Sequence, residues 1–332
     1  MRKAKLYTIS TLLTVIIVVA TLLFYPFALD KTYSLNIKKN QGYSQIVSQL
    51  KKDGVIKSEL LMKAVAYSLG GQDKLRPGVY RFRKSASTWH IIRVLLNEKP
   101  EARYVTILEG ANFSQMRATI AQSGGLQHVT KGLSEAELLK QIDPNTPYTK
   151  AEGLFFPDTY QYNEGETDLN LYTLAYKNMQ RQLAAAWEDR QYDLPYKDPY
   201  ELLIMASIIE RETGHEADRR HVAAVFVNRL NIGMRLQTDP TVMYGISPNF
   251  KGRLRRADLR RDTPYNTYTR AGLTPTPISL PSQKALEAAA HPSSEKFLYF
   301  VSMMDGSGLS YFSHDLPEHN QAVRKYILKR GG

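Results

Sequence analysis

From Leu6 to Leu29 the chain carries no charged residue, and that run constrains the fold more than any other feature. Most of its positions are apolar, among them Leu12, Leu13, Val15, Ile16, Ile17, Val18, Val19, Leu22, Leu23 and Phe24. Wound as a helix it spans roughly 36 Å, enough to cross a hydrocarbon layer of roughly 30 Å with some tilt. Lys5 and Asp30 bound it. Arg2, Lys3 and Lys5 make residues 1–5 a cytoplasmic tail and 6–29 a transmembrane helix, while Lys31, Lys38 and Lys39 on the far side weigh slightly against that orientation. The alternative is a cleaved signal peptide, which has a shorter apolar core followed by a small-x-small site. Phe24-Tyr25-Pro26-Phe27-Ala28-Leu29 offers no such site. We therefore expect a single-pass anchor in the cytoplasmic (inner) membrane, with the remainder outside the cytoplasm and no nucleic acid among the partners. The net charge of +12 then points to anionic lipid or anionic wall polymer. The absence of cysteine excludes disulfides, thiolate metal sites and a cysteine nucleophile.

Beyond the anchor the pattern becomes that of a globular protein. Tyr33, Leu35 and Ile37 alternate as in a short strand. Ile46, Val47 and Leu50 follow at helical spacing and stop at Asp53-Gly54. Ser58 caps a second helix through Leu61, Ala64 and Val65 to Gly70-Gly71. Leu75-Arg76-Pro77-Gly78 turns into a strand at Val79-Tyr80-Arg81-Phe82, and Trp89 to Leu96 forms another helix. This strand-helix-helix-strand order over residues 31–100 resembles the LysM module, which binds the N-acetylated sugars of peptidoglycan. A small packing module fits the same elements. Residues 101–332 form a mixed α/β domain. It opens with a strand at Tyr104, Thr106 and Leu108 that ends at Glu109-Gly110, and Ser134 with Glu137 makes a capping box for a helix through Leu138, Leu139 and Ile142. Residues 143–200 read as loops around one long helix near 168–187. The fold class is thus α+β.

The segment from Glu201 to Gly245, within a core of 201–280, carries the chemistry. Glu201 to Ile209 is apolar enough for a buried helix, and it delivers Glu210. A carboxyl among apolar neighbours keeps its proton more readily, which suits a general acid. Glu212 is the rival. Two residues along a helix is a turn of about 200°, so the two carboxyls face opposite ways. A solvated or salt-bridged surface role for Glu210 remains open on these residues alone. A second helix runs from about Ala217 to Asn231, with Val222, Val225, Phe226 and Leu230 as its buried stripe and Gly233 as its stop. Asp239 followed by Pro240 reads as a helix N-cap and first turn, which puts Gln237 and Thr238 in a tight polar loop.

Several runs in order resemble the membrane-bound endolytic murein transglycosylases, the MltG or YceG-like family. They include Ala206-Ser207-Ile208-Ile209-Glu210-x-Glu212-Thr213, Val225-Phe226-Val227-Asn228-Arg229-Leu230 and Leu236-Gln237-Thr238-Asp239-Pro240-Thr241-Val242-x-Tyr244-Gly245. The likeness extends through Glu152-Gly153-Leu154-Phe155-Phe156-Pro157-Asp158-Thr159-Tyr160, Tyr265-Asn266-Thr267-Tyr268, Gly272-Leu273-Thr274-Pro275, Ala288-Ala289-Ala290-His291-Pro292 and Leu298-Tyr299-Phe300-Val301. One departure is Leu309-Ser310-Tyr311, where members often carry histidine. The resemblance implies that Glu210 is the catalytic residue, and it makes Gln237, Thr238, Asn228, Asn266, Tyr268 and Asp158 candidate substrate contacts. It also implies a lyase that cuts between N-acetylmuramic acid and N-acetylglucosamine inside peptidoglycan strands, leaving 1,6-anhydro ends, with a part in cell wall biogenesis beside peptidoglycan synthases. One carboxyl suffices for that chemistry, whereas ordinary glycosidases use two. The rivals are a muramidase-type hydrolase, with Asp158 or Asp239 as second acid, and a non-catalytic wall-binding scaffold. Neither a cofactor nor a metal is expected. The basic run Lys251, Arg253, Arg255, Arg256, Arg260 and Arg261 suits anionic headgroups or stem-peptide carboxylates, or it is a solvated face offset by Asp258 and Asp262.

Overall fold

The computed structural model describes residues 2–28, 32–38, 41–71, 75–83 and 85–328. Leu29, Asp30, Lys31 and Lys39, which bear on the end of the apolar span and its orientation, lie outside the described residues, as do the side chains of Arg2, Lys3, Lys5 and Leu6. The chain divides into two compact units: residues 1–104, 124–127 and 161–167 form the first, and residues 105–123, 128–160 and 168–332 the second.

In the first unit, α1 (Arg2–Phe24) is long and apolar enough to cross a membrane, with a mean hydropathy of 2.3 over Tyr7–Phe24. Its apolar side chains Leu12, Ile16, Ile17 and Val18 stay exposed. Its last turn packs, with Leu23 buried and the Phe24 ring 5.8 Å from that of Trp89. Next come β1 (Phe27–Ala28), β2 (Tyr33–Ile37), α2 (Tyr43–Lys52) and α3 (Glu59–Ser68). After them follow β3 (Gly78–Phe82), β4 (Ser85–Ala86) and α4 (Thr88–Asn97). β2 and β3 pair antiparallel, Tyr33 opposite Phe82 and Ile37 opposite Gly78. In that register Leu35, Ile37, Tyr80 and Phe82 join Ile46, Leu50, Met62, Ile91 and Leu95 in one core. The caps follow the sequence: the Ser58 hydroxyl accepts from the Leu61 amide at 3.2 Å and Ser87 from His90 at 3.1 Å. The strand-helix-helix-strand order is therefore present, and the short β1–β4 pairing adds to it.

β5 (Arg103–Thr106) pairs with β6 (Thr159–Tyr162), and the hydroxyls of Thr106 and Thr159 meet at 3.0 Å. Between them lie α5 (Phe113–Ala121) and α6 (Glu135–Ile142), each opened by a capping box, Asn112 with Gln115 and Ser134 with Glu137. The helices α7 (Asp168–Glu188), α8 (Pro199–Glu212), α9 (Glu216–Asn231), α10 (Asp239–Ile246), α11 (Arg256–Arg260) and α12 (Gln283–Ala290) follow in order. The hairpin β7 (Tyr299–Ser302) and β8 (Ser310–Ser313) and the terminal α13 (Leu316–Tyr326) complete the second unit. Residues 143–200 thus hold a strand as well as the expected long helix. Leu309-Ser310-Tyr311 runs into β8, where the Ser310 amide donates to Asp218 at 2.7 Å. The fold is mixed α and β, and within the second unit α8 is buried at every position from Leu202 to Ile209.

Candidate active site

α8 starts where the Asp198 carboxylate accepts from the Glu201 amide at 3.0 Å, with Pro199 in the first turn. Midway, Ser207 binds an extended segment to the helix. Its hydroxyl accepts from the Ile278 amide at 3.0 Å, and its carbonyl accepts from the Ser279 hydroxyl at 3.0 Å. That segment also exchanges backbone bonds with the loop after β5, Gly110 amide to Leu280 carbonyl at 2.9 Å and Leu280 amide to Ala111 carbonyl at 2.7 Å. It ends at Ser282, the N-cap of α12, beside the last turn of α8.

Glu210 meets this cap. Its Oε2 accepts from the Ser282 amide at 3.0 Å and from the Ser282 hydroxyl at 2.5 Å. Arg219 of α9 brings Nη1 to 3.5 Å from the same oxygen and donates from it to Ser282 Oγ at 3.0 Å. The two charged side chains are only 7% and 8% exposed. Burial was expected for Glu210. The polar clasp on one of its oxygens was not, because it depends on α9 and α12 folding over the end of α8. Gly110 closes the site from another side. It sits at φ +70°, a left-handed turn that favours glycine, while a Cβ there would meet Glu210 Cγ at 3.7 Å, an ordinary contact.

Glu212 faces elsewhere, as the helical rotation requires. Its Oε1 accepts from the Thr238 hydroxyl. Burial, reinforced by the charge of Asp239, pushes its carboxyl up to about 7. It lines a cavity of 490 Å³ with Gln237, Asp239, Tyr268, Tyr299 and His319.

The other candidate residues separate into two groups. Gln237 and Tyr268 line the Glu212 cavity, and Thr238 is buried and donates to Glu212. Asn228 spends its amide on the carbonyls of Glu295 and Phe297, at 2.9 and 3.0 Å. Asn266 is fully buried and donates to the carbonyls of Asp258, Leu259 and Arg261. Asp158 is exposed and accepts from the Thr159 amide at 2.7 Å. The N-cap of α10 is Thr238 rather than Asp239, which lies in the first turn and accepts from the Tyr268 hydroxyl at 2.6 Å. Asp262 forms a bidentate pair with Arg270, both contacts at 2.9 Å, instead of offsetting the basic run. Among the described residues no group of three or more His, Asp and Glu side chains is placed to hold a metal ion.

Ser282 and Arg219 escape sequence reasoning. Ser282 has a local signal, a serine ahead of an alanine-rich helix. Arg219 has none, since its partner lies on another helix.

The arrangement is a buried helix that ends in one clasped carboxyl. The chain belongs to the YceG-like family, whose model matches residues 35–325. It is 35% identical over 318 residues to the endolytic murein transglycosylase of Bacillus subtilis (strain 168), covering 90% of this chain and 86% of that one. It is 27% identical to the endolytic murein transglycosylase of Streptococcus pneumoniae (strain D39), covering 90% of this chain and 59% of the relative. A crystal structure of a YceG-like protein from Listeria monocytogenes superposes with a TM-score of 0.55 at 28% identity, over 88% of this chain and 99% of that one.

Proposed function

We propose that this chain is a peptidoglycan lytic transglycosylase that cuts inside glycan strands, with Glu210 as its single acid and base. The observation that carries this reading is the clasp. All three donors reach Oε2 of Glu210, so the transferable proton sits on Oε1. In the first step Oε1 gives that proton to the glycosidic oxygen as the bond from muramic acid C1 breaks. The amide and hydroxyl of Ser282 and the guanidinium of Arg219 then hold the carboxylate that remains. In the second step the muramic acid C6 hydroxyl attacks C1 and returns its proton to Oε1. The products are a 1,6-anhydro end and a free N-acetylglucosamine hydroxyl, with no water consumed. The names of the Bacillus and Streptococcus relatives support the same reaction.

In this reading α1 is a retained anchor with residues 1–5 in the cytoplasm, residues 31–100 are a LysM-like module that holds glycan near the membrane, and 101–332 are the catalytic domain. Peptidoglycan synthases are the neighbours such a placement serves.

The test is the product made by full-length protein from isolated strands in heavy-oxygen water. The new muramic acid end should be one water lighter than a hydrolysis product, unlabelled and resistant to borohydride. Glu210→Gln should lower cutting by at least about 10²-fold, the lower range for general acid catalysis. A labelled, reducible end would instead identify a hydrolase, and near-normal cutting by folded Glu210→Gln protein would remove Glu210 from the mechanism.

A further inference from the structure

The exit of α1 is a built corner. Pro26 cannot carry a helix onward, and α1 stops at Phe24. The chain then pairs at once with the module it enters: β1 runs antiparallel to β4, Phe27 opposite Ala86 and Ala28 opposite Ser85. β4 leads through the cap Ser87 into α4. The last turn of α1 packs on the start of that helix, with Leu23 buried and the rings of Phe24 and Trp89 5.8 Å apart. All of these residues belong to the first unit. Strand pairing, the buried leucine and the ring contact together hold the beginning of α4 beside the end of α1.

That place has a definite depth. The apolar span Tyr7–Phe24 is 18 residues long, and at the rise of a helix it covers roughly 27 Å, close to a hydrocarbon layer of roughly 30 Å. Phe24 therefore marks the edge of that layer on the module's side, and Trp89 beside it falls at the level of the headgroups. The side chains suit that level. Phe24 is 57% exposed, Tyr25 62% and Trp89 37%, so three large aromatic rings at one corner are left uncovered by the protein. Trp and Tyr favour the boundary between lipid and water, because each has an apolar ring and a polar handle. The face of α4 agrees. Ile91, Ile92, Val94 and Leu95 are its buried side, and Trp89 and Arg93, four residues apart, share the opposite one. Arg93 is exposed, and a guanidinium at that level meets lipid phosphate with matching geometry.

We propose that the first unit lies against the phospholipid surface, with the Trp89 indole seated among the headgroups beside Phe24 and Tyr25 and Arg93 reaching lipid phosphate. α4 is then a second, peripheral membrane contact, and the module is held at the surface in one orientation instead of swinging on a tether. The proposal rests on the reading of α1 as a retained anchor and goes beyond it, since an anchor needs only α1.

The experiment uses full-length Trp187→Phe protein, in which Trp89 is the one remaining tryptophan. It is reconstituted in vesicles of phosphatidylethanolamine and phosphatidylglycerol that carry a nitroxide lipid, with the nitroxide either high on the acyl chain or near its end. A separate variant, Val15→Cys, gives the cysteine-free chain one site midway along α1 for a fluorescent probe. Trp89 emission should be quenched more by the shallow nitroxide, and the probe at residue 15 more by the deep one. Arg93→Glu should weaken the shallow quenching of Trp89, and unchanged quenching in that variant overturns the phosphate contact. Trp89 emission untouched by either nitroxide, with the probe at residue 15 quenched, overturns the surface seat and leaves the anchor intact. Stronger quenching of Trp89 by the deep nitroxide overturns the headgroup placement. A probe at residue 15 that neither nitroxide quenches overturns the anchor reading itself.

Discussion

Glu152 is a carboxyl buried in the second unit, 4% exposed, and replacing it with glutamine should make the protein's stability less sensitive to pH. It accepts from the Phe113 amide at 3.0 Å and from the Tyr244 hydroxyl at 3.1 Å. Burial dominates these contacts and raises it from 4.5 to about 8. Between those values the folded state binds more protons than the unfolded one. The stability this group contributes is therefore complete below 4.5 and is lost as pH rises toward 8. The slope is about 1.4 kcal/mol for each pH unit, so roughly 3 kcal/mol disappears between pH 5 and pH 7. In Glu152→Gln the side-chain carbonyl still accepts from Phe113, the amide still reaches Tyr244, and nothing titrates. Other titrating groups, Glu212 included, are common to both proteins and cancel in the comparison. Thermal unfolding of the two proteins at pH 5, 6 and 7 should show the glutamine variant gaining roughly 5–10 °C on wild type across that range. A Tm difference that stays flat from pH 5 to pH 7 refutes the reasoning.

Ser282→Ala removes the hydroxyl that donates to Glu210 and receives Arg219, while the backbone amide remains. Strand cutting should fall by about 10-fold, the scale of one charge-assisted hydrogen bond, and the lost α12 cap should cost about 1 kcal/mol of stability. An unchanged cutting rate would mean that the hydroxyl does not support the carboxylate. For topology, a reporter fused after Gly332 that is active only outside the cytoplasm should give signal in intact cells, and a cytoplasm-only reporter giving signal there would reverse the anchor's orientation.

The parts of this fold legible in the sequence were those whose cause is local. The apolar run and caps that define α8 and α9 lie within a few residues of the helices they build. So do the alternation of Leu35 with Ile37 and the serine caps at Ser58 and Ser87. The start of α10 was displaced by one residue, because an Asp-Pro pair fits both the cap and the first turn, and the tie between Asp239 and Tyr268 selects the turn. The box Asn112-x-x-Gln115 was available in the sequence and would have located α5. β6, β7 and β8 are four residues each, too short for alternation to stand out, and β7 has no buried position in its pattern. At the site, the opposed directions of Glu210 and Glu212 followed from helical geometry alone. The partners of the two carboxyls did not, since Ser282 lies 72 residues from Glu210 and Thr238 lies 26 from Glu212. Asn228 and Asn266 looked like ligand contacts because a side-chain amide in a motif reads the same whether it faces a sugar or a loop carbonyl.

The clasp on Glu210 is also among the last contacts that a newly made chain can form. Chains emerge from synthesis amino end first. Glu210 and Arg219 therefore appear well before Ser282, which follows 72 residues after the glutamate. Until that serine arrives and α12 docks, Glu210 lacks the two donors that Ser282 supplies to its Oε2. A ribosome-bound or truncated chain ending before α12 would thus lack the clasp, which is complete only once nearly the whole polypeptide is in place.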